Sequence, residues 1–69
     1  MNILKRFGGR VKELRLKKGL TVFELAALCK MKDQTIRKLE SGEIDCKLDV
    51  VAVIAEVLEV EMWDLIVHD

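Results

Sequence analysis

The chain has 69 residues, with 12 basic and 12 acidic side chains, one His, two Cys, four Gly and no Pro. This length allows one domain over residues 1–69, and such a domain buries only about 60% of the surface that its unfolded chain exposes. Little room remains to enclose a substrate, so an enzyme is a poor interpretation. No apolar run approaches the roughly 18–20 residues of a membrane span. The N-terminus lacks the apolar segment of a signal peptide, which favours a cytoplasmic protein.

The residues that usually hold metals or cofactors are sparse. Cys29, Cys46 and the single His68 match no zinc-binding spacing, and two Cys are too few for a disulfide scaffold. Two reduced thiols are the ordinary state in the cytosol. Gly8-Gly9 alone is too weak a signal for a phosphate-binding loop. The sequence therefore predicts no metal, no cofactor and no small-molecule ligand.

The net charge of zero conceals two oppositely charged halves. Residues 1–38 hold eleven Lys or Arg against three acids, a balance of +8. Residues 39–69 hold Lys47 against nine acids, a balance of −8. A positive segment of this kind is typical of a polyanion-binding surface, and an acidic remainder repels phosphate and helps to set orientation. The alternative is that the charges only solvate exposed helix faces.

Apolar periodicity predicts an all-α chain of five helices joined by short turns. The predicted helices cover approximately residues 3–18, 21–29, 33–40, 48–58 and 62–67. Gly8-Gly9 is expected to fray or bend the first of them, because each glycine costs about 1 kcal/mol in a helix.

Local signals mark where these helices begin and end. Gly19 suits the left-handed residue that closes the first helix, and Thr21 with Glu24 forms a capping-box pattern at the start of the second. Asp33 and Gln34 in the first turn of the third helix favour its initiation through capping and the helix dipole.

Residues 21–41 have the pattern of a helix-turn-helix. A small residue, Ala26, allows two short helices to cross closely, and Ile36 with Leu39 fills the space between them. Here the chain resembles the Cro/lambda-repressor family of helix-turn-helix domains, often called XRE-like. The matching segments are Arg10-Val-Lys-Glu-Leu-Arg15, Gly19-Leu-Thr21, Glu24-Leu-Ala26, Thr35-Ile36, Leu39-Glu40-Ser-Gly42, Ile54-Ala55, Leu58-Glu-Val60 and Leu65. The resemblance implies a compact five-helix, lambda-repressor-like domain, with residues 1–8 extending helix 1.

The resemblance also implies double-stranded DNA as a partner and sequence-specific transcriptional regulation as the function. In this family the third helix enters the major groove. Gln34 suits adenine, Lys38 suits guanine and Asp33 can accept a hydrogen bond from cytosine N4. Lys32 and Ser41 stand at positions that usually touch phosphate. The implied DNA-binding set is Lys32, Asp33, Gln34, Thr35, Arg37, Lys38 and Ser41.

Two further positions follow from the same resemblance. Arg15 and Glu40 are expected to form a partly buried, bidentate ion pair that fixes the angle between helices 1 and 3. Val22 stands where the family commonly has Gln, so the start of helix 2 offers DNA no polar side chain at that position.

Helix 4 is more apolar than one core-facing side requires. Its core-facing residues are Val51, Ile54, Ala55 and Leu58. A second apolar stripe remains, and exposed apolar area usually marks an interface. The sequence therefore predicts a homodimer, which would also read two half-sites about 34 Å apart. The predicted interface residues are Val50, Val53, Val57, Trp63 and Ile66. The alternative is that the N-terminal residues Ile3, Leu4 and Phe7 pack across helices 4 and 5.

A second function stays open at this point. The chain could be a protein-interaction module of the same fold with weak or no DNA binding, an interpretation that Val22, Asp33 and the zero net charge favour. Salt-dependent binding to random-sequence DNA separates the two, because neutralising phosphates releases counterions.

Overall fold

Five helices follow one another in the structure, a computed structural model that describes residues 2–66. They are α1 (Ile3–Lys17), α2 (Val22–Cys29), α3 (Asp33–Ser41), α4 (Leu48–Leu58) and α5 (Met62–Ile66). The all-α prediction is confirmed, and residues 2–66 contain no strand. Residue 67, placed in the fifth helix by the sequence, lies outside the described residues. No helix of this part of the chain is long and apolar enough to cross a bilayer.

The predicted signals at the α1–α2 junction are confirmed. Gly19 has the left-handed φ of 72° expected after the last turn of α1. The Thr21 hydroxyl accepts a hydrogen bond from the Glu24 amide at 3.0 Å, and the Glu24 carboxylate accepts one from the Thr21 amide at 2.8 Å. The reciprocal bonds satisfy two amides that the first turn of α2 leaves unpaired.

The capping prediction for α3 is wrong in part. Its N-cap residue is Lys32, whose side chain makes no capping hydrogen bond. Asp33 is the first helical residue, too far along for its carboxylate to cap, and its charge favours this end of α3 through the helix dipole. Before it, Lys30 closes α2 in the left-handed region with a φ of 57°, although it is not a glycine.

The core receives side chains from all five helices. Phe7 from α1 is 7% exposed, so the N-terminal part of α1 contributes this side chain to the core, whereas Ile3 remains exposed. The α2–α3 crossing is as predicted, with Ala26, Ile36 and Leu39 all buried. Within residues 2–66 the buried apolar residues are Phe7, Val11, Leu25, Ala26, Cys29, Ile36, Leu39, Val51, Ile54, Ala55, Leu58 and Leu65.

Helix α1 meets the end of α3 backbone to backbone at Gly8. A Cβ atom on Gly8 would lie 2.2 Å from the carbonyl oxygen of Leu39 and 2.6 Å from that of Glu40. Gly9, its neighbour, has nothing within 4 Å of the same atom. Helix α1 continues unbroken through both glycines, so the expected fraying is not found. Gly8 is therefore required for packing.

Arg15 and Glu40 lie in contact beside this crossing. The Arg15 Nε donates to Glu40 Oε2 at 2.7 Å, and Nη2 donates to Oε1 at 3.1 Å. The remaining nitrogen, Nη1, donates to the carbonyl oxygen of Leu20 at 2.8 Å. The two side chains are only 8% and 7% exposed. Because each buried charge is hydrogen-bonded, the pair can hold α1, the α1–α2 loop and α3 together.

Replacing Gly8 by Ala should destabilise the fold by about 3 kcal/mol, because the added methyl group must push two backbones apart. Gly9→Ala is the matched control in the same helix. It should stabilise the protein by about 0.5–1 kcal/mol, since alanine restricts the unfolded chain and meets no obstacle. Urea unfolding measures both, and equal effects of the two changes would contradict the close crossing.

Glu40→Ala should lower the free energy of unfolding by about 3 kcal/mol, because it leaves the Arg15 guanidinium buried without its carboxylate. The double variant Arg15→Ala/Glu40→Ala should cost less than the sum of the single changes. Glu13→Ala, which removes the partner of Arg10 in a pair whose carboxylate side chain is 50% exposed, should cost less than about 1 kcal/mol. Strict additivity of the Arg15 and Glu40 changes would show that the pair contributes nothing.

Candidate nucleic-acid interface

The outer face of α3 is polar and exposed. Gln34 and Lys38 each stand two residues from the buried Ile36, which places them about 160° around the helix axis from it. Both are exposed and one turn apart. A helix that presents its outer face to the major groove would bring these two side chains to the base edges.

The start of α3 adds a cation near this face. Lys32 is exposed at the N-cap position, and its carbonyl oxygen accepts from the Thr35 amide at 3.0 Å. Thr35 itself is half-buried. The exposed N-terminal turn of a helix offers unpaired amides and a partial positive charge. Lys32 therefore adds its charge to an end of α3 that already favours anions.

Ser41, predicted to touch phosphate, already has partners within the chain. Its hydroxyl lies 3.0 Å from the carbonyl oxygen of Lys38 and 2.6 Å from Oε2 of Glu43. The single hydroxyl proton can be donated to only one acceptor at a time. A Ser41–phosphate contact would have to displace one of these bonds and bring the Glu43 carboxylate towards a phosphate of the same charge.

Arg37 stands at the edge of α3 that faces α2. Its Nη2 lies 3.8 Å from Oδ2 of Asp33, one turn earlier on the same helix. Its guanidinium carbon lies over the ring of Phe23, 5.2 Å from the ring centre. Phe23 was missing from the predicted set. The one signal for Phe23 in the sequence is its spacing. It stands two positions before the core residue Leu25, so its side chain lies on the outward-facing side of the helix.

The charge division in the sequence follows the helices. The positive half makes up α1, α2 and most of α3, whereas α4 and α5 carry acids and no Lys or Arg. Lys18 and Glu59 form an ion pair across the two halves. The hydrogen bond and the positive charge of Lys18 hold the pKa of the Glu59 carboxyl below its usual value. The exposed face of α3 therefore belongs to the basic part of the chain and not to the acidic part.

The predicted interface residues fall into two groups. Val53, Trp63 and Ile66 are 42%, 63% and 47% exposed, as an interface requires. Val50 and Val57 are half-buried and pack against the core. The alternative of intramolecular packing holds for Phe7, which is buried, whereas Ile3 stays 69% exposed. Val67, part of the same apolar surplus, lies outside the described residues.

An open apolar groove of about 300 Å³ lies between the start of α1 and the start of α4. Ile66, one of the exposed residues of α5, also lines it. The groove is lined by Ile3, Leu4, Phe7, Asp45, Cys46, Leu48, Val51 and Ile66.

Neither cysteine is activated as a nucleophile. Cys29 and Cys46 are free thiols. Burial raises the pKa of the Cys29 thiol, and burial together with the charge of Asp45 raises the pKa of the Cys46 thiol. Both thiols are therefore less nucleophilic at neutral pH than an ordinary cysteine. Among residues 2–66 no three His, Cys, Asp or Glu side chains are grouped to hold a metal ion.

Solved structures of transcription regulators resemble this fold closely. The restriction-modification controller protein C.AhdI from Aeromonas hydrophila is 32% identical, with a TM-score of 0.87, and the match covers 90% of this chain and 94% of that one. The clp gene regulator ClgR from Corynebacterium glutamicum shares the fold at 22% identity, with a TM-score of 0.88 and coverage of 91% and 67%. A hypothetical transcription factor, NHTF from Neisseria, does so at 20% identity, with a TM-score of 0.90 and coverage of 94% and 75%.

The family assignment follows from sequence as well as from shape. No curated protein matches the chain significantly. A family model described as a helix-turn-helix domain matches residues 6–62, which include all of α2, α3 and α4. The chain therefore belongs to the helix-turn-helix domain family, and its fold is that of a DNA-binding transcription regulator.

Proposed function

We propose that the protein is a sequence-specific transcriptional regulator of the cytoplasm that binds operator DNA as a homodimer, with α3 in the major groove. The observation that carries this proposal is the exposure of Gln34 and Lys38 opposite the buried Ile36. These two side chains supply the donors and acceptors that read adenine and guanine. Regulation then works by occupancy, since a dimer on its operator either blocks polymerase or recruits it.

The phosphate contacts in this proposal come from the margins of α3. Lys32 lies at its start and Arg37 on its flank, and both are exposed. Asp33 carries the wrong charge for a phosphate, but its carboxylate lies beside the Arg37 guanidinium. This pairing reduces the repulsion that favoured the non-binding alternative. The similarity to a restriction-modification controller at 32% identity also supports a regulatory role.

The homodimer in this proposal uses the exposed apolar residues of α4 and α5. Val53, Trp63 and Ile66 present the contact area, and Ile66 continues into the apolar groove beside α1. Burying large apolar side chains is the main source of association free energy. One short helix makes few base contacts, so two linked recognition helices are needed for useful specificity.

Gln34→Ala and Lys32→Ala should separate base reading from phosphate contact. Gln34→Ala should cost about 1–3 kcal/mol on the cognate site and leave binding to random DNA almost unchanged. Lys32→Ala should weaken both by similar factors and reduce the log–log salt slope by about one for each protomer of the bound dimer. The measurement is a fluorescence titration at several salt concentrations, on a duplex selected from a random pool and on its scrambled version.

The wild-type protein is the control in that titration. Salt-dependent binding to any duplex establishes a DNA-binding function. If the wild type binds neither duplex at low salt, the protein-interaction module is the better description. If Gln34→Ala keeps full discrimination between the duplexes, α3 docks in another orientation.

Trp63→Ala should shift the protein from dimer towards monomer at micromolar concentration, because it removes the largest exposed apolar side chain of α5. Phe23→Ala is a matched control, since Phe23 is 61% exposed and Trp63 is 63% exposed, on different helices. Sedimentation equilibrium measures both. A wild type that stays monomeric at hundreds of micromolar would contradict the dimer.

A further inference from the structure

Arg37 occupies a different side of α3 from the residues proposed to read bases. It follows Gln34 by three residues, which turns it by about 60° around the helix axis. Its contact with the Phe23 ring shows that this turn is towards α2. A helix with its side chains is about 10–12 Å across and the major groove is about 12 Å wide. Side chains on the flank of α3 therefore meet the sugar-phosphate wall, whereas those opposite the core meet base edges.

The Phe23 ring lies against the Arg37 guanidinium and is otherwise largely exposed. It is the second residue of α2 and is 61% exposed, so its contribution to the core is small. Stacking engages the flat face of a guanidinium and leaves the N–H groups around its edge available. An arginine held in this way keeps the planar arrangement of donors that suits two oxygens of one phosphate.

Asp33 restrains the same guanidinium without occupying its donors. The distance of 3.8 Å between Nη2 and Oδ2 exceeds that of a hydrogen bond, and the two side chains are 56% and 46% exposed. An exposed pair at this distance is weak, so the donors of Arg37 stay available to a phosphate while its positive charge still lies beside Asp33. The Arg37 side chain makes no hydrogen bond within residues 2–66.

The first residues of α2 and its N-cap, residues 21–24, include no positively charged side chain. Val22 packs against the core and has no polar group. The Thr21 hydroxyl accepts from the Glu24 amide within the capping box, so it can offer a phosphate only its single neutral proton. Arg37 is thus the cationic side chain that the structure places against the N-terminal turn of α2.

We propose that Phe23 is a positioning residue for DNA binding, whose ring braces Arg37 so that its guanidinium grips one backbone phosphate beside the N-terminus of α2. This contact fixes the register of α3 in the groove, a task for which Val22 offers no polar group. The inference rests on the proposed function, because it needs α3 to lie in the groove. The ligand is a phosphodiester of the operator, and the contact carries no base preference.

The test is a double-mutant cycle on a labelled operator duplex selected from a random pool. Arg37→Ala should weaken binding to operator and random DNA alike and reduce the log–log salt slope by about one for each protomer of the bound dimer. Phe23→Leu keeps the apolar bulk but removes the ring, and should weaken binding about threefold. Phe23→Tyr keeps an aromatic ring at this position, so this variant should bind the operator with wild-type affinity. In the Arg37→Ala background, Phe23→Leu should have no further effect.

A neutral methylphosphonate placed at single phosphates locates the contact. At one position in each half-site it should weaken the wild type and leave Arg37→Ala unaffected. In the Arg37→Ala background, where the ring has no guanidinium to hold, Phe23→Leu should leave the urea midpoint unchanged. A lower midpoint would make the ring structural and overturn the proposal.

Three other results also decide the matter. An equal loss from Phe23→Leu with and without Arg37 would show that the ring acts alone. If Arg37→Ala changed the base preference without changing the salt slope, Arg37 would contact a base and not a phosphate. Either result would overturn the proposal that Phe23 braces Arg37. The proposed function would stand, because the wild type still binds DNA. A wild type that binds no duplex at any salt concentration removes the proposed function itself.

Discussion

The bidentate pair between Arg15 and Glu40 lies where three parts of the chain meet. Arg15 holds the Glu40 carboxylate and the Leu20 carbonyl oxygen at once, so α1, the loop after it and the last turn of α3 share one guanidinium. Beside the pair, Gly8 brings the α1 backbone against the same turn of α3. Both contacts hold α3 near its C-terminal end. The outer face and the N-terminal turn of α3 remain open to a partner.

The helices were largely predictable because their signals are local. The capping box at Thr21 and Glu24, the left-handed Gly19 and the apolar spacing of α4 each depend on residues within two turns. The role of Gly8 was not predictable, because it depends on the approach of Leu39, 31 positions further along the chain. Long-range packing also buries part of Val50 and Val57, which helical spacing alone assigned to a second face.

The candidate site was predictable where it depends on one helix. The sequence resemblance identifies Gln34 and Lys38 as residues of the third helix that face DNA. The helical period then places both of them opposite Ile36. Phe23 could not be found in this way, because its contact with Arg37 joins two helices whose relative positions the sequence does not state. The intramolecular bonds of Ser41 were hidden for a similar reason, since they depend on how the chain turns towards Glu43.

Charge is divided between the helices of this neutral molecule: the basic side chains are concentrated in α1, α2 and α3, whereas α4 and α5 carry acids and no Lys or Arg. A molecule with zero net charge feels little overall pull towards DNA from a distance, but a dipole in a field feels a torque. The described chain measures 29 × 22 × 21 Å, two to three times the roughly 8–10 Å over which physiological salt screens a charge. The protein is therefore turned by the field of the DNA only within about one nanometre of it. At that distance the basic helices turn towards the DNA and the acidic helices turn away from it. For the proposed regulator, an encounter through α4 or α5 would meet like-charge repulsion from the phosphates and separate.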